Sequence, residues 1–405
     1  MKLTFWLKFS VFNLFIVALL GVLMRYKIAF SFPWLDQKNV QEAHSHFAFY
    51  GWITTCIYVL IIRYLQRVLP NVEIRKYIFL VIANVGASFG MLAAFLATGY
   101  SSLSIFFSAV ALIVSFIFCI LLVYDLKTVR DHSKIWLFGG FFFVILSSLG
   151  VFYLAYMKSS GNINQDYYLA STYYFLHYQY NGFFIFSCIA FLLYSLREAG
   201  SAIFDKENKL IFWTSFLGCF IGFGLSVLWM KLPVWVFIVI VFGTLLQTFG
   251  AVKLFLVVKR SWTNLVINWS PLQRFALIFA GFAFAVKIAL QLGSNIPAVN
   301  QFAFGFRNVV IAYLHLVLLM CITTFLLSQV LATNYFVMKK TLLNGMKLFM
   351  LGIFLNEAIL GLMGIFSIKY ISIPFAPYLL LAASVLILIS LALMFFSMKS
   401  KSEFS

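Results

Sequence analysis

The sequence predicts an all-α, polytopic membrane protein of about twelve transmembrane helices, and three observations predict it. Of 405 residues, 64% are hydrophobic and only 10% charged, against about 25% charged in a soluble domain, and the mean hydropathy is +1.02. Apolar runs between the charges have the ~20-residue length of a bilayer crossing. The basic residues alternate between the two sides that those crossings define. Together these exclude a water-soluble enzyme and a disordered chain. The net charge of +18 is no nucleic-acid footprint, because the basic residues are scattered among apolar runs rather than gathered on one face. The partner that this composition leads one to expect is membrane lipid, with no nucleic acid.

Cutting the chain at its charges places the spans at roughly 9–24, 43–62, 77–98, 102–124, 135–157, 167–196, 210–230, 233–258, 275–292, 309–332, 348–368 and 376–398. The first is apolar up to Met24 and has no small-residue cleavage site before Arg25, so it reads as a retained helix rather than a leader. The charge-free stretch from Tyr77 to Tyr124 is too long for one crossing, and Thr98-Gly99-Tyr100-Ser101-Ser102 supplies the turn that divides it. The start of span six is rich in tyrosine, as an interfacial belt would be. Long Phe-rich runs without polar alternation argue against barrel strands. No soluble domain, long linker or internal repeat stands out, so residues 1–405 read as a single transmembrane domain.

The two chain ends and the loops after even-numbered spans hold 21 of the 29 basic residues; the loops after odd-numbered spans hold 7, and Lys287 lies inside span nine. By the positive-inside rule both termini are expected on the cytoplasmic side, in a bacterial inner membrane. The five cysteines (Cys56, Cys119, Cys188, Cys219, Cys321) fall within spans, form no C-x-x-C and read as small apolar packing residues. Walker A, G-x-G-x-x-G, nucleophile-elbow and H-E-x-x-H motifs are absent, which removes support for ATP-driven transport and hydrolase chemistry.

Four of the five histidines fall at span positions: His44 and His46 in span two, His177 in span six and His315 in span ten. His132 sits in the charged loop Asp131-His132-Ser133-Lys134 and reads as solvated. Spans two, six and ten all begin on the outer side. At ~1.5 Å per residue, His177 lies ~15 Å and His315 ~9 Å from the outer end of its span. The four therefore form one outer-half layer. Imidazole is a common ligand of haem iron and of copper, and the layer points to a cofactor or metal. The competing reading is four structural histidines bonded to carbonyls.

The local sequences carry a resemblance. Glu42-Ala43-His44-Ser45-His46 in span two, Phe175-Leu176-His177-Tyr178-Gln179-Tyr180 in span six and Ala312-Tyr313-Leu314-His315-Leu316-Val317-Leu318 in span ten resemble subunit I of the haem–copper oxidase superfamily. That superfamily comprises cytochrome oxidases and nitric oxide reductases. The resemblance implies a low-spin haem, of b or a type, with His44 and His315 as axial ligands. His46 competes with His44, because residues two apart on a helix point ~200° apart. In the family's tenth helix Tyr313 stands where the high-spin ligand belongs, and span seven lacks the His-His pair that binds copper. The resemblance therefore implies an oxidoreductase-type protein without copper and without a normal oxygen-reducing centre, with an electron donor or other respiratory subunits as partners. His177 then marks a vestigial second metal site. No catalytic residue is assigned.

Glu357 is the one acid deep inside a span, near the histidine layer, and with Tyr180 and Lys287 it is a candidate proton or polar relay. For Lys287, snorkelling outwards is the favoured reading, ahead of pairing with Glu357 or a haem propionate. Gln247, Asn181, Gln179 and Asn84 either line a polar path or bond helices together. Two other functions stay open: an ion or metal transporter or channel with a histidine layer, and an assembly protein without cofactor.

Overall fold

The computed structural model describes residues 3–201, 203–267, 269–367 and 371–401. Lys2 and Lys369, two of the basic residues in the charge pattern, lie outside them. The protein is an integral membrane helical bundle. Twelve helices are long and apolar enough to cross a membrane: Leu3–Ala29, Gln37–Val68, Ile74–Thr98, Ser102–Leu126, Ser133–Ser160, Gln165–Glu198, Asp205–Val227, Val234–Arg260, Pro271–Gly293, Arg307–Ala332, Lys340–Ser367 and Ala376–Ser397. Each contains or closely matches one expected span, and most extend it at one end or both. The extension has a simple cause. Cutting at charges removes terminal turns that carry lysine or arginine, yet those side chains sit comfortably at helix ends. Span two begins at Gln37, where Asp36 accepts from the Asn39 amide as its cap.

The chain divides into two compact units, Met1–Lys127 with Thr323–Ser405, and Thr128–Ile322. In the first, spans three and four form a hairpin. Gly99 turns the chain at φ 62°, a conformation costly for residues with a Cβ, and Ser101 and Ser104 form a capping box at the start of span four. At the other end of the hairpin Asp125 receives Lys76 Nζ at 2.8 Å and the Tyr77 hydroxyl at 2.8 Å. Spans eleven and twelve approach closely at Gly345 and Gly352, where an added Cβ would stand 2.7 Å from Met394 and 2.8 Å from Ile387. Span one lies against span twelve, with the Phe12 and Phe395 rings 5.4 Å apart.

In the second unit spans seven and eight meet at Gly218, where a Cβ would fall 2.6 Å from the Gln247 backbone nitrogen. The start of span five is tied down by Trp136, whose Nε1 donates to Asn208 Oδ1 at 3.0 Å, and by the Arg197–Asp131 ion pair. His132, expected to be solvated, is partly exposed and lies 3.7 Å from Asp205. Two short helices, Trp262–Val266 and Pro297–Gly305, were not expected from the sequence. Neither is long enough to leave an apolar run of its own.

Candidate functional site

Spans two, six and ten share a local design that no other span has among the described residues. Each opens as an α-helix, reaches a histidine, and then widens into a π-helical segment. The π segments are Phe47–Thr54 after His46, Tyr178–Phe184 after His177 and Leu316–Thr323 after His315. A π-helix is rare, and where it occurs it is frequently at a functional site. The α-helical portions before the histidines are open. Gln37–His46 buries only Val40 and Ala43, Gln165–His177 only Ser171 and His177, and Arg307–His315 nothing. By contrast, seven residues of Tyr178–Phe184 are buried, and all of Phe47–Thr54 but Ala48.

The structure also exposes a repeat that was missed in the sequence. His46-Phe47-Ala48-Phe49-Tyr50-Gly51-Trp52 and His177-Tyr178-Gln179-Tyr180-Asn181-Gly182-Phe183 share one pattern: histidine, aromatic, any, aromatic, any, glycine, aromatic. The glycine serves the widened turn in both. A Cβ on Gly51 would stand 2.8 Å from the Phe47 ring, and one on Gly182 2.4 Å from Phe143 Cβ. Span ten has the histidine and the π segment but Met320 in place of the glycine.

Widening a helix frees backbone carbonyls, which need donors where no water reaches. In span two these donors come from neighbouring helices and from the span itself. Asn84 Nδ2 on span three donates to Tyr50 O and to Thr55 Oγ1, both at 2.9 Å, and Thr55 Oγ1 donates to the same carbonyl. Asn13 Nδ2 on span one donates to Gly51 O at 2.6 Å, and Trp52 Nε1 donates to Thr323 Oγ1 at 2.9 Å. Asn84 is thus a helix-bonding residue, the second of its two expected roles. In span six Gln179 Nε2 donates to Ser147 Oγ at 3.0 Å, and the Tyr178 hydroxyl to Phe220 O at 2.8 Å.

The histidines differ in ways that bear on ligation. His44, His46 and His315 are half-buried, and each donates Nδ1–H to a backbone carbonyl. His44 reaches Val17 O on span one at 3.0 Å, its ring lying beside Gly21 of the same helix. His46 bonds Glu42 O at 2.9 Å, and His315 bonds Ile311 O at 2.9 Å, each four residues back on its own helix. A proton held on Nδ1 puts the lone pair on Nε2 and fixes the ring, which is how ligating histidines are usually oriented. These three residues fit the donor chemistry of a haem ligand. His44 and His46 face different helices, as their spacing requires: the His46 ring stacks on Phe95 of span three at 4.2 Å.

His177 is built otherwise. It is 1% exposed, donates Nε2–H to Cys219 O at 2.9 Å, and accepts from Asn181 Nδ2 at Nδ1 at 3.1 Å. Both ring nitrogens hold helices together, so a metal would have to displace one of these bonds. No group of three His, Cys, Asp or Glu side chains converges among the described residues. Tyr180 and Tyr313 are hydrogen-bonded to each other in the second unit, their rings 6.3 Å apart. Glu357, in the first unit, is half-buried and accepts from Asn356 Nδ2 at 3.0 Å. Lys287 corrects an expectation: it does not snorkel. It is 1% exposed and its Nζ has no hydrogen-bond partner among the described residues. The reason lies in its position, six residues inside the end of span nine, on the same helix face as buried Ala280, Ala283 and Gln291.

No protein-family model matches the chain, and no curated protein does either.

Proposed function

We propose that this chain is a membrane haem protein of the oxidase subunit I type, serving electron transfer or diatomic-gas binding rather than normal oxygen reduction. The observation that carries the reading is the repeated histidine–π-helix junction in spans two, six and ten. It places a rare and costly backbone form beside each of the residues that the sequence nominated on other grounds. The axial ligands are His44 and His315, with His46 the competitor of His44; each is held for Nε2 ligation by its carbonyl partner. A bound haem supplies a one-electron couple. The protein's part is to hold the two imidazoles in one tautomer and one orientation. Any enzymatic activity is that of an oxidoreductase. Both termini are assigned to the cytoplasmic side of a bacterial inner membrane, with other respiratory subunits or a soluble donor as electron partners.

The test is the absorption spectrum of full-length protein purified from haem-replete cells. A sharp α band on reduction is expected, and it is lost in His44→Ala and in His315→Ala. Loss in His46→Ala with retention in His44→Ala reassigns the span-two ligand. A colourless protein overturns the reading.

A further inference from the structure

The interior of the Thr128–Ile322 unit contains a charged group that the haem reading does not use. Lys287 is almost completely buried, its Nζ has no hydrogen-bond partner among the described residues, and the ring of Phe284 lies 5.6 Å away. The acids of this unit are Asp131, Asp166, Glu198, Asp205 and Glu207, all at helix ends or in loops. None lies at the depth of Lys287. An ammonium kept away from water and from carboxylates is expensive to maintain, and such groups in membrane helices mark binding or transfer sites.

Its surroundings are polar and incomplete. Spans eight and nine, which carry Gln247 and Lys287, pack against each other, and Lys287 lies within electrostatic reach of His177, Cys219 and Cys321. Gln247 and His177 both border Gly222: a Cβ there would lie 3.7 Å from Gln247 Oε1 and 3.6 Å from His177 Cε1. Among the described residues Gln247 Oε1 has no hydrogen-bond partner, and neither has Oδ1 of Asn181, the residue bonded to His177 Nδ1. A buried cation and two buried acceptor oxygens are therefore associated with one imidazole whose own nitrogens are both in use. What would complete the set is an anionic oxygen for Lys287, and O–H donors for the two amides. A hydrated oxyanion brings both, since buried water commonly serves otherwise unsatisfied groups.

We propose that Lys287, with Gln247 and the Asn181–His177 pair, forms a binding site for a small oxyanion of the carboxylate type, accompanied by water. The carboxylate comes either from a free solute or from a propionate of the cofactor. The site itself does not depend on the haem reading, because all its residues lie in one unit and the test uses haem-free protein.

The experiment uses the full chain in detergent with formate as probe. Formate is expected to raise the melting temperature saturably. Lys287→Arg keeps that response. Lys287→Met weakens the apparent affinity more than 10-fold, while itself melting higher than formate-free wild type, because it removes an uncompensated charge. Infrared difference spectra of wild type with 13C-formate should show a saturable band from an immobilised carboxylate, a readout that needs no variant. Absence of that band, or a formate response unchanged in Lys287→Met, overturns the proposal. Repeating the titration after haem loading separates the sources. A surviving response assigns the site to a free carboxylate, and a response abolished by haem assigns it to a propionate.

Discussion

Asn84 shows how much of this interior depends on single amides. One side chain donates twice, to Tyr50 O and Thr55 Oγ1, across the interface of spans two and three. Asn84→Leu leaves Tyr50 O with the Thr55 hydroxyl alone and the Asn84 bonds unreplaced. Interhelical hydrogen bonds in membranes are worth about 0.6 kcal/mol on average and up to about 1.7. Two lost at once predict a destabilisation of about 1–3 kcal/mol, read by thermal or denaturant unfolding in detergent. His177 makes the complementary case. Its two nitrogens bond to Cys219 O and Asn181 Nδ2, so His177→Phe is expected to cost about 1–3 kcal/mol by stranding both partners and to leave any haem band in place. Loss of the band at full folding would show that His177 ligates after all. The sequence marked His177 as polar at depth, but its partners are a backbone carbonyl and an amide from residues 42 and 4 positions away. Such partners leave no motif, so ligand and structural histidine look alike until the other nitrogen is located.

At the scale of elements, the twelve spans were legible because each is a long run of apolar residues, and a bilayer imposes that length on any helix that crosses it. The π segments were not legible by periodicity, since one extra residue per turn hardly alters an apolar stretch. Their trace was in the matching His46–Trp52 and His177–Phe183 heptapeptides, which only self-comparison at that spacing brings out. The glycines in these heptapeptides give a prediction with an internal control. Gly182→Ala drives a methyl into Phe143, which is fully buried. Overpacking of this kind costs about 1–3 kcal/mol. Gly281 lies in span nine with nothing within 4 Å of an added Cβ, and Gly281→Ala is expected to be neutral or to stabilise by up to about 1 kcal/mol. Equal effects from the two substitutions would show that the crowding at Gly182 is relieved by local adjustment and that the π turn does not need glycine.

For the whole molecule the strongest argument is charge. The 21-to-7 division of basic residues holds only if every span between the two termini is real and none is missed, because one error inverts every later loop. The helices in the structure preserve that count. Ion pairs refine it. Lys76–Asp125, Arg197–Asp131 and Arg260–Glu207 all join segments at the ends assigned to the cytoplasm, so part of the excess also fastens helices there. One of the seven exceptions has its own employment: Lys27 Nζ donates to Phe32 O and Leu35 O in the loop between spans one and two. A lysine holding loop carbonyls says little about orientation, and the effective bias is steeper than the bare count. Reporter fusions along the chain should therefore give a clean alternation. Alkaline phosphatase fused after Gly161 or Ser294 is expected to be active, because the charge pattern assigns those turns to the outside, while fusions after Lys127 or at the C-terminus are expected to be inactive. The complementary pattern, with an active C-terminal fusion, would invert the molecule. It would also move His44, His177 and His315 from the outer to the inner half of the membrane, and any electron donor would then have to approach from the cytoplasm.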